Sequence, residues 1–219
     1  MGPYASLDFY RMILERSAGR ANSQFPHILL SNLPVPDFVQ DRTYEEEAVH
    51  MVEEEARTLE KAGADFLVII CNTMHVYIER FRGAVSIPIL SMIDVVAEHI
   101  LAEGLDTVGI LASPTTIATR LYQDTLERYG VKTLIPDKHD QGRIAQTIFH
   151  VIAGQSDQTD VECVLHIAQG LLDEGAKAIL LGCTELPLLM RNAQHAFPCV
   201  ASSEVLANAV HTAWRQSNA

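Results

Sequence analysis

The 219-residue sequence carries one α/β pattern twice, and this duplication limits the folds open to it more than any other feature. Gly63-Ala-Asp-Phe-Leu-Val-Ile-Ile-Cys71 and Gly175-Ala-Lys-Ala-Ile-Leu-Leu-Gly-Cys183 each set Gly-Ala at a helix end, then an apolar run of buried-strand character, then a cysteine. The offset between the two is constant (183 − 71 = 175 − 63 = 112). Downstream, Ile87-Pro88 leads to Asp94 and Phe197-Pro198 leads to Glu204, six residues from proline to acid in each half. Both acids open helical segments, where a carboxylate favours the positive end of the helix dipole. Upstream, Ala112-Ser113-Pro114 leads to Tyr122 and Leu126-Glu127-Arg128. Met1-Gly2-Pro3 leads to Tyr10 and Leu14-Glu15-Arg16, with one residue fewer between. Strand and helix signals alternate throughout, so the prediction is a parallel α/β protein built from one module used twice.

The repeat also predicts an absence. In the second half the strand Thr107–Ala112 precedes the proline loop, whereas in the first half nothing precedes Met1. The sequence is expected to start inside its first strand–helix loop, with a shortened N-terminal lobe that lacks its first, central strand. A helix is predicted from about Thr43 to Ala62, with Ala48, Met51, Val52, Ala56 and Leu59 at helical spacing. Glu45–Glu47, His50 and Glu53–Glu55 fill the other side and read as a solvated face, not a metal cluster.

Cys71 and Cys183 stand where an open α/β sheet places its ligands, at the carboxyl ends of strands. Asn72-Thr73 follows one and Thr184-Glu185 the other. A thiol at the start of a helix meets free N–H groups, which favour thiolate and are expected to pull its pKa down. The same N–H groups and the Thr73 and Thr184 hydroxyls suit a carboxylate. If a pseudo-twofold axis relates the halves, the two thiols face one bound carbon from opposite sides. One thiolate then removes a proton and the opposite thiol returns one to the other face, as inversion of a stereocentre requires. A buried cysteine is more often packing than chemistry; the matched registers favour chemistry here. Cys163 and Cys199 have no such setting and read as core.

The net charge of −12, with scattered Lys and Arg, argues against a nucleic-acid partner. No apolar run approaches the roughly 18 residues of a membrane span. Four cysteines without metal-type spacing fit a cytoplasmic protein with reduced thiols.

At Met1-Gly2-Pro3-Tyr4-Ala5-Ser6, Asp41-Arg42-Thr43, Cys71-Asn72-Thr73-Met74-His75 and Gly182-Cys183-Thr184-Glu185-Leu186, the sequence resembles the aspartate/glutamate racemase family, more closely its cofactor-independent aspartate racemases. The resemblance implies two pseudo-symmetric Rossmann-like lobes with parallel sheets and a site in the cleft between them. It also implies no pyridoxal phosphate, no metal and a homodimer. The lobes are expected at 1–94 plus about 205–219, and at 95–204. Cys71 and Cys183 then look like the proton-transfer groups. Asn72, Thr73 and Thr184 look like binders of the α-carboxylate and ammonium, and Arg42 resembles the ligand of the side-chain carboxylate. Met1 matches a residue lining the pocket. From the sequence alone Arg42 reads first as a surface-loop arginine, while His75 reads equally as a structural histidine and Glu185 as a helix-start residue. Glu185 stands where glutamate racemases carry His, which tilts the expected substrate from glutamate to aspartate. The lysine that aspartate racemases often place before the second-lobe loop is missing from Ile144–Gln155; Arg143 and His150 are the basic residues nearby. The activity expected is interconversion of L- and D-aspartate, or glutamate. Maleate isomerisation and malonate decarboxylation are alternatives on the same fold, the retained cysteine pair counting against decarboxylation. A non-catalytic amino-acid-binding protein is the alternative from another class.

Overall fold

The two copies of the glycine-to-cysteine motif fold alike, and the differences between them come from what lies beside each strand. In the computed structural model, residues 2–17, 19, 21–36, 43–191, 193 and 197–217 are described; Met1 and Arg42 fall outside them. The first half runs α1 (Pro3–Arg16), α2 (Glu45–Lys61), β1 (Leu67–Val68), α3 (Ile78–Ala84), β2 (Ile89–Leu90) and α4 (Met92–Ala102). The second runs β3 (Thr107–Ala112), α5 (Pro114–Ala118), α6 (Leu121–Glu127), β4 (Lys132–Leu134), α7 (Lys138–Ile152), α8 (Gln158–Asp173), β5 (Ala178–Gly182), α9 (Glu185–Met190), β6 (Cys199–Ala201) and α10 (Ser202–Ser217).

The second-lobe sheet is parallel in the order β4-β3-β5-β6, with Val108 opposite Ala178 and Ala112 opposite Gly182. All five residues of β5 are buried, which explains why its sequence is an unbroken apolar run rather than an alternating one. In the first lobe β1 pairs in parallel with β2. The backbone N–H of Leu67 donates to the Pro88 carbonyl at 2.9 Å, as that of Ile179 does to Pro198 at 2.9 Å, so the two repeats share their register as well as their sequence. On the other side of β1, where β3 would stand in the second lobe, no strand runs among the described residues. The apolar pattern of Phe66–Ile70 therefore forms two residues of strand where Ala178–Gly182 forms five, because one side of it lacks a partner.

Helix ends follow the repeat too. Gly63 (φ 95°) and Gly175 (φ 108°) terminate α2 and α8 in the left-handed region, a backbone state that costs glycine little and a β-branched residue a great deal. On α2, Ala48, Val49, Val52 and Ala56 are buried, while exposed Arg80 ties Glu46 and Glu53 together at 2.8 and 2.9 Å. The acidic run is thus a solvated face. No group of three or more His, Cys, Asp or Glu among the described residues is placed to hold a metal ion, and no described helix is long and apolar enough to cross a membrane.

One apolar core joins the lobes: Phe9 and Ile13 of α1, Val96 and Ile100 of α4, Ile110 of β3, Leu180 of β5 and Leu206 of α10 lie in a single cluster. A second fills the space under α7 and α8, and a third packs α2 on β1 and β2. Cys163 and Cys199 pack at the margin of the second, in keeping with their reading as core.

Candidate active site

Both motif cysteines sit just past the carboxyl end of their strand. Cys71 follows β1 and precedes a 3-10 turn, Thr73–Tyr77; Cys183 follows β5 and precedes α9. All four cysteines are free thiols. Burial pushes the Cys71 thiol up from its ordinary value, and the Glu185 carboxylate adds to the rise, against backbone N–H groups of Met74 and Thr73 that pull it down. The Cys183 thiol is pushed up much further, first by burial and then by Glu185, with the charge of Cys71 contributing. The expectation of lowered thiol pKa values is thereby corrected. The helix-start N–H groups act in the anticipated direction, but desolvation of a charged sulfur outweighs them. Both sulfurs lie within electrostatic reach of one carboxylate, so two strand ends 112 positions apart share one site.

The polar residues after each cysteine reach across to the other lobe. Thr73 Oγ1 meets Ser113 Oγ at 2.9 Å and Thr116 Oγ1 at 3.1 Å, and Ser113 Oγ donates to Thr116 Oγ1 at 2.9 Å. Glu185 is the repeat equivalent of Thr73 and faces the other proline loop in return, since a Cβ on Gly2 would collide with its Oε1. A side chain at Gly2 would have to push the Glu185 carboxylate aside. Glu185 Oε2 accepts from Cys183 Sγ at 3.1 Å and from Thr184 Oγ1 at 2.9 Å. Asn72 is 1% exposed; its Nδ2 donates to Ser202 Oγ at 3.2 Å and its Oδ1 accepts from the buried Tyr122 hydroxyl.

The structure therefore gathers Cys71, Asn72, Thr73, Cys183, Thr184 and Glu185 in one place. Ser113, Thr116, Tyr122 and Ser202 belong with them and were not singled out from the sequence. The Ser113-Pro114 loop was flagged as a repeat marker, and its equivalence to Gly2-Pro3 was the available signal for a site role. Arg143 and His150 take acids of their own hairpin, Asp140 at 3.0 Å and Asp160 at 2.9 Å.

His75 holds the backbone under the first thiol. Its ring is 2% exposed, with Nδ1 2.9 Å from the Cys71 carbonyl and Nε2 accepting the Met92 N–H at 3.0 Å. That pairing places the proton on Nδ1 and keeps the ring neutral. Burial is the first cause of its depressed pKa, about 4. Below its ordinary value the unfolded chain binds this proton and the folded chain does not. Stability is therefore expected to fall as pH drops from about 6.5 towards 4, by about 3 kcal/mol for this group. Urea midpoints at pH 7.5 and 5 would measure it, and His75→Gln should flatten the dependence.

The fold agrees with comparison against known proteins, where the model of Asp/Glu/hydantoin racemases matches residues 1–210. The chain belongs to that family. A broad specificity amino-acid racemase, RacX, of Bacillus subtilis is 27% identical over 214 residues, covering 94% of this chain and 92% of the relative. The aspartate racemase structure of Picrophilus torridus superposes with a TM-score of 0.85 at 25% identity, over 97% of this chain and 90% of that one. An aspartate racemase homologue from Pyrococcus horikoshii gives 0.77 at 26% identity, over 96% and 95%. The two pseudo-symmetric α/β lobes, each with a parallel sheet, are those of the Asp/Glu racemase fold, and the chemistry typical of the family is racemisation without a cofactor.

Proposed function

We propose that this family member interconverts L- and D-aspartate, with glutamate next in line, by two-thiol proton transfer at Cα. The observation that carries the reading is the pairing of Cys71 and Cys183 at equivalent strand ends around one carboxylate. One thiolate takes the Cα proton and becomes a thiol; the opposite thiol gives its proton to the carbanion and becomes the thiolate. Atoms and charge balance without a further reagent. Both thiols are protonated in the resting site, so the substrate itself must favour the first thiolate. Its ammonium group, set beside Glu185, offsets the negative charge that holds both thiols up. The hydroxyls of Thr73, Ser113 and Thr116 and the remaining Nδ2 hydrogen of Asn72 suit the α-carboxylate. Met1 and Arg42, expected to line the pocket and bind the second carboxylate, belong to this reading as proposals, as do the lobe boundaries and a homodimeric assembly.

A second reading, broad specificity, has one observation in its favour. Among the described residues the bonds fixing this site come from hydroxyls, an amide and a thiol, none from Lys or Arg. Incubation with L-aspartate, L-glutamate and a neutral L-amino acid in deuterated water separates the readings. Loss of optical rotation with one deuterium at Cα for aspartate supports the first, and equal turnover of the neutral acid supports the second. Inertness towards all three, with maleate also unchanged, would sink racemisation and favour a binding protein.

The pH dependence follows from the thiols. Thiolate is gained as pH rises through a raised pKa, so kcat/KM is expected to climb into the alkaline range instead of levelling off near neutrality. Glu185→Gln removes a charge that raises both thiols and should move that climb to lower pH. A profile unchanged in the variant would show that Glu185 does not tune them.

A further inference from the structure

Glu185 stands beside both thiols, and its Oε2 is held from within its own half of the chain, by Cys183 Sγ at 3.1 Å and Thr184 Oγ1 at 2.9 Å. Across from its Oε1 lies Gly2, which has no side chain to offer. At the equivalent crossing Thr73 is held from the other half, by the Ser113 and Thr116 hydroxyls. The residue two places after each cysteine is thus pinned by hydroxyls at one crossing and faces a glycine at the other.

An ion pair further along the same helices ties the second crossing together. Helix α1 packs against α9. Gly2 lies just ahead of α1 and Glu185 opens α9; six residues on from each stand Asp8 and Arg191, and Arg191 Nη2 pairs with Asp8 Oδ1. Six helical residues rise about 9 Å, so the two helices leave the site in matched register and are joined by charge less than two turns away. The Asp8 side chain is 5% exposed, and its Oδ1 also accepts from Arg11 Nε at 3.1 Å and Nη2 at 3.0 Å. A carboxylate is stable at that depth only when paired, and Arg191 is the partner that comes from the other half. At the 112-residue offset, the equivalents of Asp8 and Arg191 are Arg120 and Glu79. There each bonds within its own half, Arg120 with Asp124 and Glu127 at 2.7 Å and Glu79 with Arg82 at 2.8 Å. The charge tie between halves therefore belongs to the crossing where the glycine stands.

We propose that Asp8 and Arg191 are positioning residues for Glu185: their ion pair sets α9 against α1 and so fixes how close the Glu185 carboxylate lies to Cys183 and Cys71. This rests on the reading of the two cysteines as the proton-transfer pair. Asp8 and Arg191 act through Glu185, which holds the thiols protonated and meets the substrate ammonium only from the right distance.

The test is Arg191→Met, which removes the charge but keeps the stem of a side chain that is 36% exposed, and leaves Arg11 on Asp8 so that the chain still folds. Alkylation of Cys71 and Cys183 by iodoacetamide is followed against pH, thiol by thiol, by mass spectrometry, beside Glu185→Gln and the double variant. Loss of the Arg191 charge with Glu185 unmoved would shift the alkylation midpoint up, whereas a loosened Glu185 shifts it down. The expected result is a midpoint lower by about one unit in Arg191→Met, with no further change when Glu185→Gln is already in place. Asp8→Asn should shift the midpoint the same way, and Arg191→Lys, which restores a charge within reach of Asp8, should return it to that of the parent. A midpoint that coincides with the parent's, moves up, or moves down as far in the Glu185→Gln background overturns the proposal. Alkylation needs no turnover. With the shifts present and aspartate not racemised, the two-thiol reaction fails while the positioning of Glu185 stands.

Discussion

Replacing either Cys71 or Cys183 with serine is expected to lower racemisation by about 10³-fold in both directions, within the 10² to 10⁴ that a placed acid or base contributes. A serine hydroxyl occupies nearly the space of a thiol but does not ionise in the accessible pH range, so the variant keeps the site's shape and loses its base. The reaction needs one group on each face of the carbon, so losing either breaks the cycle, and the double variant should be little worse than the single ones. Loss of optical rotation of L- and D-aspartate and Cα deuterium uptake measure the effect, with thermal melting as the control for folding. Activity within tenfold of the parent in either variant would remove that cysteine from proton transfer.

Tyr122→Ala is expected to cost about 3–5 kcal/mol of stability, the range for emptying a large aromatic site in a core. Tyr122 is fully buried, and its ring lies against Gly182, where a Cβ would come within 3.1 Å of Cε2. Set against a typical total of about 5–15 kcal/mol, such a loss brings the chain close to unfolding at room temperature. Tyr122→Phe separates the hydroxyl from the ring. It keeps the packing but leaves Asn72 Oδ1 without its donor, at about 1–3 kcal/mol. Urea denaturation followed by circular dichroism measures both. A loss below 1 kcal/mol for the alanine variant would mean that the site collapses around the gap and that Tyr122 is not a keystone between β5 and Asn72.

Most of the architecture was readable because it depends on local pattern. Helix α2 was expected at Thr43 to Ala62 and runs Glu45–Lys61, since its apolar stripe and its terminating Gly63 are both sequence features. The site was legible only in part. Cys71, Asn72, Thr73, Cys183, Thr184 and Glu185 follow their strands directly, so the strand ends bring them together. Ser113, Thr116, Tyr122 and Ser202 reach the same place from elements 40 to 130 residues away in the chain, and no local spacing announces that.

The thiols mark the boundary between the two kinds of information. By itself the sequence determined which sulfurs stand at strand ends and that N–H groups would pull their pKa values down, because both follow from the strand–turn–helix order. Only the tertiary structure decided the net direction. Burial depth and the placing of Glu185 beside both sulfurs depend on how the lobes close on each other, and they push both thiols up. His75 was divided in the same way. Its position four residues after Cys71 lies in the sequence, but its neutral state rests first on burial, with Nε2 accepting the Met92 N–H, and both come only when α4 packs against the turn. Spacing along the chain fixes which groups can act, whereas desolvation and long-range charge, which set their protonation, exist only once the chain has folded.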